Sequence, residues 1–233
     1  VLIYTLLGGF LAESASDFMQ AIVMIVALVT IVIISTITAG GFQEVLTNVK
    51  DFPGFLEFFG MATPTVENGV QAVAAGGVPV FGEAADYGFL SVISTLAWGL
   101  GYFGMPQVLL RFMAIRKENE LPRARRIATV WVVISLAVAI FIGIVGRALF
   151  PTALTTASEA ENVFILLSTN LLPAILAGFV MAGILAATIS SSDSYLLIAA
   201  SAFSKNIFQG LFKKDATEKQ VMTVSRIVLL VIA

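Results

Sequence analysis

The sequence predicts an all-α membrane protein, and three observations carry that prediction. Of the 233 residues, 58% are hydrophobic and only 12% charged, against about 25% charged in an ordinary soluble domain. Apolar stretches recur at roughly the 20-residue length that a helix needs to cross a bilayer, without the alternation of barrel strands. The basic residues crowd into alternate connecting segments. Mean hydropathy is +0.98. The net charge of −2 is uninformative by itself. The chain has no cysteine, which excludes disulfides and thiolate metal sites. It has no histidine, which excludes a histidine-based triad and removes the commonest metal ligand. No enzymatic activity is expected.

Four complete spans follow, at residues 18–39, 87–110, 127–146 and 172–204. The first three are free of charge along their whole length, and the fourth continues past Asp193. Residues 1–12 and 227–233 read as two truncated spans, so the chain is expected to be a fragment of a larger membrane protein. Segment 111–126 holds Arg111, Arg116, Lys117, Arg123, Arg125 and Arg126 against Glu118 and Glu120. Segment 205–226 holds Lys205, Lys213, Lys214, Lys219 and Arg226. Segments 40–86 and 151–170 are poor in basic residues. The positive-inside rule makes 111–126 and 205–226 cytoplasmic loops and 40–86 an extracellular loop. That long loop, with "AVAAGGVPVFG" at its centre, is expected to mix a short interfacial helix with turns. It reads either as a plain connector or as a lid over an external opening. No repeat of 20 to 50 residues is visible.

Two spans carry more than apolar side chains. In 87–110, Gly99, Gly101 and Gly104 precede Pro106, flanked by Trp98, Tyr102 and Phe103. Glycine frees the backbone and proline removes a donor, so the helix should break there. Such a break is a pointer to a transporter's binding site. It also suits a simple kink or close helix packing. In 172–204 the stretch "ILAATISSSDSYLL" sets Ala187, Ser190, Ser191 and Ser194 on one helical face. Hydroxyl and carbonyl oxygens of this kind are ligands for a hard cation, although serines also bond back to their own helix. Asp193 in this stretch and Asp17 in "AESASDFMQ" fall at matched depth in the inner half of the bilayer. Neither span contains a basic residue, so the two acids are expected to want a sodium ion or a shared proton. Against that, Asp17 at a helix N-terminus also suits the macrodipole, and Asp193 could face interfacial water.

Three stretches, "GGFLAESASDFMQA", "WGLGYFGMPQVLLRFMAI" and "GILAATISSSDSYLLIAASAFSKNIF", resemble the solute:sodium symporter family, in particular its sodium/proline branch. The resemblance runs over nearly the full chain. It implies a fragment of a leucine-transporter-type inverted-repeat helical bundle, from the end of helix five to the start of helix ten. It implies a sodium ion held by Ala187, Ser190 and Ser191 together with a helix outside this chain; the last position is often threonine in the family. It implies a candidate second cation site at Asp17, Asp193 and Ser194, whose charge the carboxylate at 193 alters. It implies substrate contacts from Trp98, Tyr102 and Pro106. The expected function is sodium-coupled import of a small solute, proline or a related amino acid, by alternating access in the cell membrane as a multi-pass protein. The expected partners are that solute, sodium ions and lipid, with no nucleic acid. A symporter for another organic solute, the membrane half of a histidine-kinase sensor, an ion channel and a membrane scaffold are the competing readings.

Overall fold

A computed structural model describes residues 2–233. No proline or glycine interrupts residues 10–38, and the chain forms one long helix there, α1 (Leu2–Thr38). Within it Gly9 leaves helical geometry (φ 55, ψ −144), a conformation open to a residue without Cβ. The connector expected between residues 12 and 18 is therefore helical, and the irregularity lies further up the chain. Glu13 and Asp17 are tolerated inside the helix because their side chains find partners on other elements, described below.

The segment after α1 is more ordered than a mixture of helix and turns. A short helix, α2 (Phe42–Val49), leads into three two-residue antiparallel pairings. They join β1 (Gly60–Met61) to β6 (Ala85–Asp86), β2 (Val66–Glu67) to β3 (Val70–Gln71), and β4 (Val73–Ala74) to β5 (Val78–Pro79). The β2–β3 hairpin turns on Asn68 and Gly69, at φ 52 and 85. Two consecutive left-handed residues make the tight turn whose twist matches the flanking strands, and Asn-Gly is its preferred sequence.

The glycine- and proline-bearing span breaks as expected. α3 (Phe89–Tyr102) runs through Gly99 and Gly101 and ends just before Gly104, and α4 (Pro106–Met113) begins on the proline, where the missing N–H would have had no partner anyway. α5 (Leu121–Leu149), α6 (Ala157–Glu161), α7 (Val163–Leu171) and α8 (Ala174–Ala202) follow. α8 runs on into a wider π-helix over Phe203–Phe212, and α9 (Glu218–Ile232) starts from a capping box between Thr217 and Gln220. Among the described residues, three helical stretches are long and apolar enough to cross a membrane: Leu2–Thr38, Glu118–Leu149 and Ala174–Phe212. The broken pair α3 and α4 makes a fourth if it counts as one span.

The chain divides into two compact units. One gathers the segment up to Ile25 with Gly104–Ala114 and Ala182–Ala233; the other gathers Val26–Phe103 and Ile115–Met181. The second unit has an apolar core. Ala27, Ile31, Ile142, Leu167, Leu172 and Val180 are buried against one another, drawn from α1, α5, α7, the α7–α8 link and α8. α2 packs on α5, with the Phe42 and Phe141 rings stacked at 5.4 Å. The loop residues are fastened to this unit by Arg147 near the end of α5. Its guanidinium donates to the carbonyls of Pro151 (3.0 Å) and Leu154 (3.1 Å) and to Gln71 Oε1. It also lies over the Phe81 ring at 5.3 Å, and Phe81 packs on Phe52 at 4.8 Å. Gln71 is buried and passes a second bond on to the Val80 carbonyl.

Replacing Arg147 by alanine strands the Gln71 amide oxygen and two carbonyls. The expected result is a local opening of residues 60–86 that is easier by about 2 kcal/mol, a typical figure for bonds to a charged donor. Hydrogen exchange reads it directly; unchanged protection of the Gln71 and Val80 amides would contradict the anchoring role.

Candidate cation and solute site

The first unit contains the acids that sequence analysis singled out. α1 contributes Tyr4, Glu13 and Asp17; α4 contributes Gln107 and Arg111; α8 contributes Asp193, Ser194 and Tyr195. Glu13 and Asp17 are four residues apart, one helical turn, and so share a face of α1. Gln107 and Arg111 repeat that spacing on α4, and both reach α8. Gln107 Nε2 donates to the Tyr195 hydroxyl at 3.0 Å.

Arg111 is the hub. Its Nη2 carries two protons. One goes to Asp17 Oδ2 at 2.6 Å and the other to Ser194 Oγ at 3.0 Å. The same nitrogen is 3.9 Å from Glu13 Oε1. Ser194 in turn donates to Glu13 Oε1 at 2.6 Å, so the serine hydroxyl relays between the guanidinium and the glutamate. Asp193 is fully buried and takes a hydrogen bond from the Tyr4 hydroxyl on its Oδ2. Three carboxylates thus lie in a single cluster with one guanidinium. Glu13 Oε2, Asp17 Oδ1 and Asp193 Oδ1 are buried with no hydrogen-bond partner.

This arrangement changes one premise of the sequence analysis. Asp17 is not without a cation, because Arg111 reaches it from α4, while Asp193 is met by the Tyr4 hydroxyl. Arg111 had been counted among the basic residues of a loop. Glu13 was missed altogether, though its turn-apart spacing from Asp17 was visible. The remaining expected residues fall as follows. Ala187 and Ser191 are exposed and Ser190 is half-buried. The Ser191 hydroxyl donates back to the Ala187 carbonyl at 3.3 Å, and the Ser190 carbonyl lies 3.3 Å from Ser194 Oγ, a second acceptor for the one proton that goes to Glu13. Trp98 and Tyr102 belong to the second unit, one turn apart on α3, with Trp98 75% exposed. Pro106 belongs to the first unit, where it borders a cavity of about 750 Å³ together with Phe10, Leu109, Met113, Ser201 and Lys205.

Carboxylate and hydroxyl oxygens are thus buried among apolar helices, one of which, α4, begins at a glycine- and proline-bearing break of the kind that points to binding sites in membrane transporters. Over residues 1–233 the chain matches the model of the sodium:solute symporter family, and it belongs to that family. It is an integral membrane protein. It is 34% identical over 233 residues to the osmoregulated proline transporter OpuE of Bacillus subtilis, covering 100% of this chain and 42% of that protein. It is 32% identical to the high-affinity proline transporter PutP of the same organism, covering 100% of this chain and 44% of that one. With the sodium/proline symporter of Escherichia coli it shares 34% over 236 residues, 100% of this chain and 42% of the relative. The chain therefore spans less than half the length of the curated relatives it matches. These relatives are transporters by name.

Tyr4 tests the cluster's structural weight. Tyr4→Phe leaves buried Asp193 with both oxygens unpartnered, which costs about 1 to 3 kcal/mol. A lower thermal unfolding midpoint is expected, read by unfolding of the detergent-purified protein. An unchanged midpoint would show that the tyrosine bond carries no weight.

Proposed function

We propose that the whole protein is a sodium-coupled symporter that imports proline or a closely related amino acid by alternating access. The observation that carries this reading is the charge imbalance in the first unit. Glu13 and Asp17 share one guanidinium, Asp193 is buried with no cation of its own among the described contacts, and three oxygens of these acids are buried without a partner. Burying an uncompensated charge costs several kcal/mol. A site that meets a cation during its working cycle has a use for that imbalance. The printed names of the relatives add proline to the reading, two as proline transporters and one as a sodium/proline symporter.

In this scheme the Ala187 carbonyl and the hydroxyls of Ser190 and Ser191 supply oxygen ligands for sodium, with further ligands from outside this chain. The set fits the ion chemically: hard cations take neutral oxygens. The 3.3 Å Ser191–Ala187 contact is long enough to yield to one. Trp98, Tyr102 and Pro106 receive the solute, the aromatic rings offering flat apolar faces to a pyrrolidine. Asp17, Asp193 and Ser194 form the second cation site. Segments 111–126 and 205–226 lie in the cytoplasm and 40–86 outside, since the basic residues crowd the first two. Sodium bound to α8 favours the form open to the solute's side, and its downhill release drives the return.

Sodium-gradient uptake of labelled proline by the whole protein in vesicles tests the proposal. Uptake should collapse when the gradient is removed. Ser190→Ala and Ser191→Ala should each raise the sodium concentration for half-maximal uptake by about tenfold or more, the equivalent of one lost ligand. Sodium dependence unchanged in both variants would refute the assignment of these serines. Uptake indifferent to sodium would refute symport.

A further inference from the structure

Of the groups around the acids, Arg111 is the one whose position has a consequence beyond holding the helices. Its Nη2 sits on Asp17 Oδ2 and Ser194 Oγ, at 2.6 and 3.0 Å. These are two of the three residues proposed above for the second cation. We propose that Arg111 is a tethered competitor for that site: a built-in cation that must withdraw before a sodium ion can take the same oxygens. The inference rests on the symporter reading and adds the residue that sets the site's affinity.

The chemistry is direct. An oxygen that accepts a charge-assisted N–H bond has one of its lone pairs committed to that donor. A sodium ion at the same two oxygens would stand within a few ångströms of a guanidinium, with like charges repelling in a medium of low dielectric. The two occupants therefore exclude each other. Arg111 is suited to come and go. Its side chain is 51% exposed, whereas those of Asp17 and Glu13 are 11% and 2% exposed. The acids are fixed and the arginine is at the edge. When it leaves, Asp17 regains Oδ2, and Oδ1 is already without a partner. Ser194 keeps a partner throughout, since it donates to Glu13 Oε1 at 2.6 Å independently of the arginine. The groups facing the site are thus Glu13 and Asp17 from α1, Arg111 from α4, and Asp193 and Ser194 from α8, with Tyr4 covering Asp193. Among these Arg111 is the sole positive charge.

A residue that merely braced the site and a residue that competes for it give opposite results on removal. Losing a brace weakens sodium binding; losing a competitor strengthens it. The measurement is the sodium concentration for half-maximal thermal stabilisation of the purified whole protein, with choline replacing sodium to hold ionic strength. Arg111→Gln is expected to lower it about tenfold or more, the loss of one charge-assisted bond from the competing state. The charge-balanced double variant E13Q/R111Q removes one charge of each sign and keeps the net charge of the cluster. It should show a decrease in the same direction, and it serves where the single variant does not fold. An equal or higher sodium requirement in whichever of these folds would overturn the inference while leaving symport intact. A wild-type protein that responds equally to sodium and choline would instead sink the symport reading, and this inference with it.

Discussion

The guanidinium of Arg111 is the interaction on which the first unit depends. Apolar side chains cannot discriminate strongly among ways of packing helices when the surroundings are as apolar as they are. A charge among carboxylates can, because every arrangement that fails to bring them together leaves an ion buried without a partner. One nitrogen here ties α1 through Asp17 and α8 through Ser194, and the serine carries the tie on to Glu13. The geometry follows from the break in the preceding helix. Because α4 starts afresh at Pro106, Gln107 and Arg111 occupy successive turns of a new helix and meet Tyr195 and Ser194 on α8. The glycine and proline residues therefore do more than interrupt a span. They set where a charged side chain can reach.

The second unit solves a different problem with another arginine. Arg147 has carbonyls, an amide oxygen and a phenyl ring around it, and its attachments fix a long polar connection to the end of α5. A segment whose strands pair over only two residues has little hydrogen bonding of its own to order it. One planar donor that holds Gln71 and lies over the Phe81 ring ties that segment to the end of α5, while its other protons go to the α5–α6 link.

How much of this was legible varies by element. The helix break at 103–105 was readable because glycine and proline act locally, through backbone freedom and a missing donor. The hairpin at Asn68–Gly69 was equally readable, by the same kind of local chemistry, but its signal lay inside a segment taken for turns. Glu13 left a faint sign in its spacing from Asp17. Arg111 left a misleading one, since a basic residue after a span ordinarily belongs to the loop. Its pairing with residues 94 and 83 positions away in the chain is a long-range fact that no local pattern encodes.

The sequence by itself determined the membrane class, the presence of long apolar helices and the site of the break. Each of these depends on hydropathy or backbone preference summed over neighbouring residues. Its resemblance to a family also pointed to the hydroxyl-bearing face of α8. Only the tertiary structure decided which acid meets which base, that Glu13 belongs to the cluster, and that Arg147 anchors the loop. Those outcomes turn on the few ångströms over which a hydrogen bond forms or fails, and such distances are set by the packing of helices remote from one another in the chain.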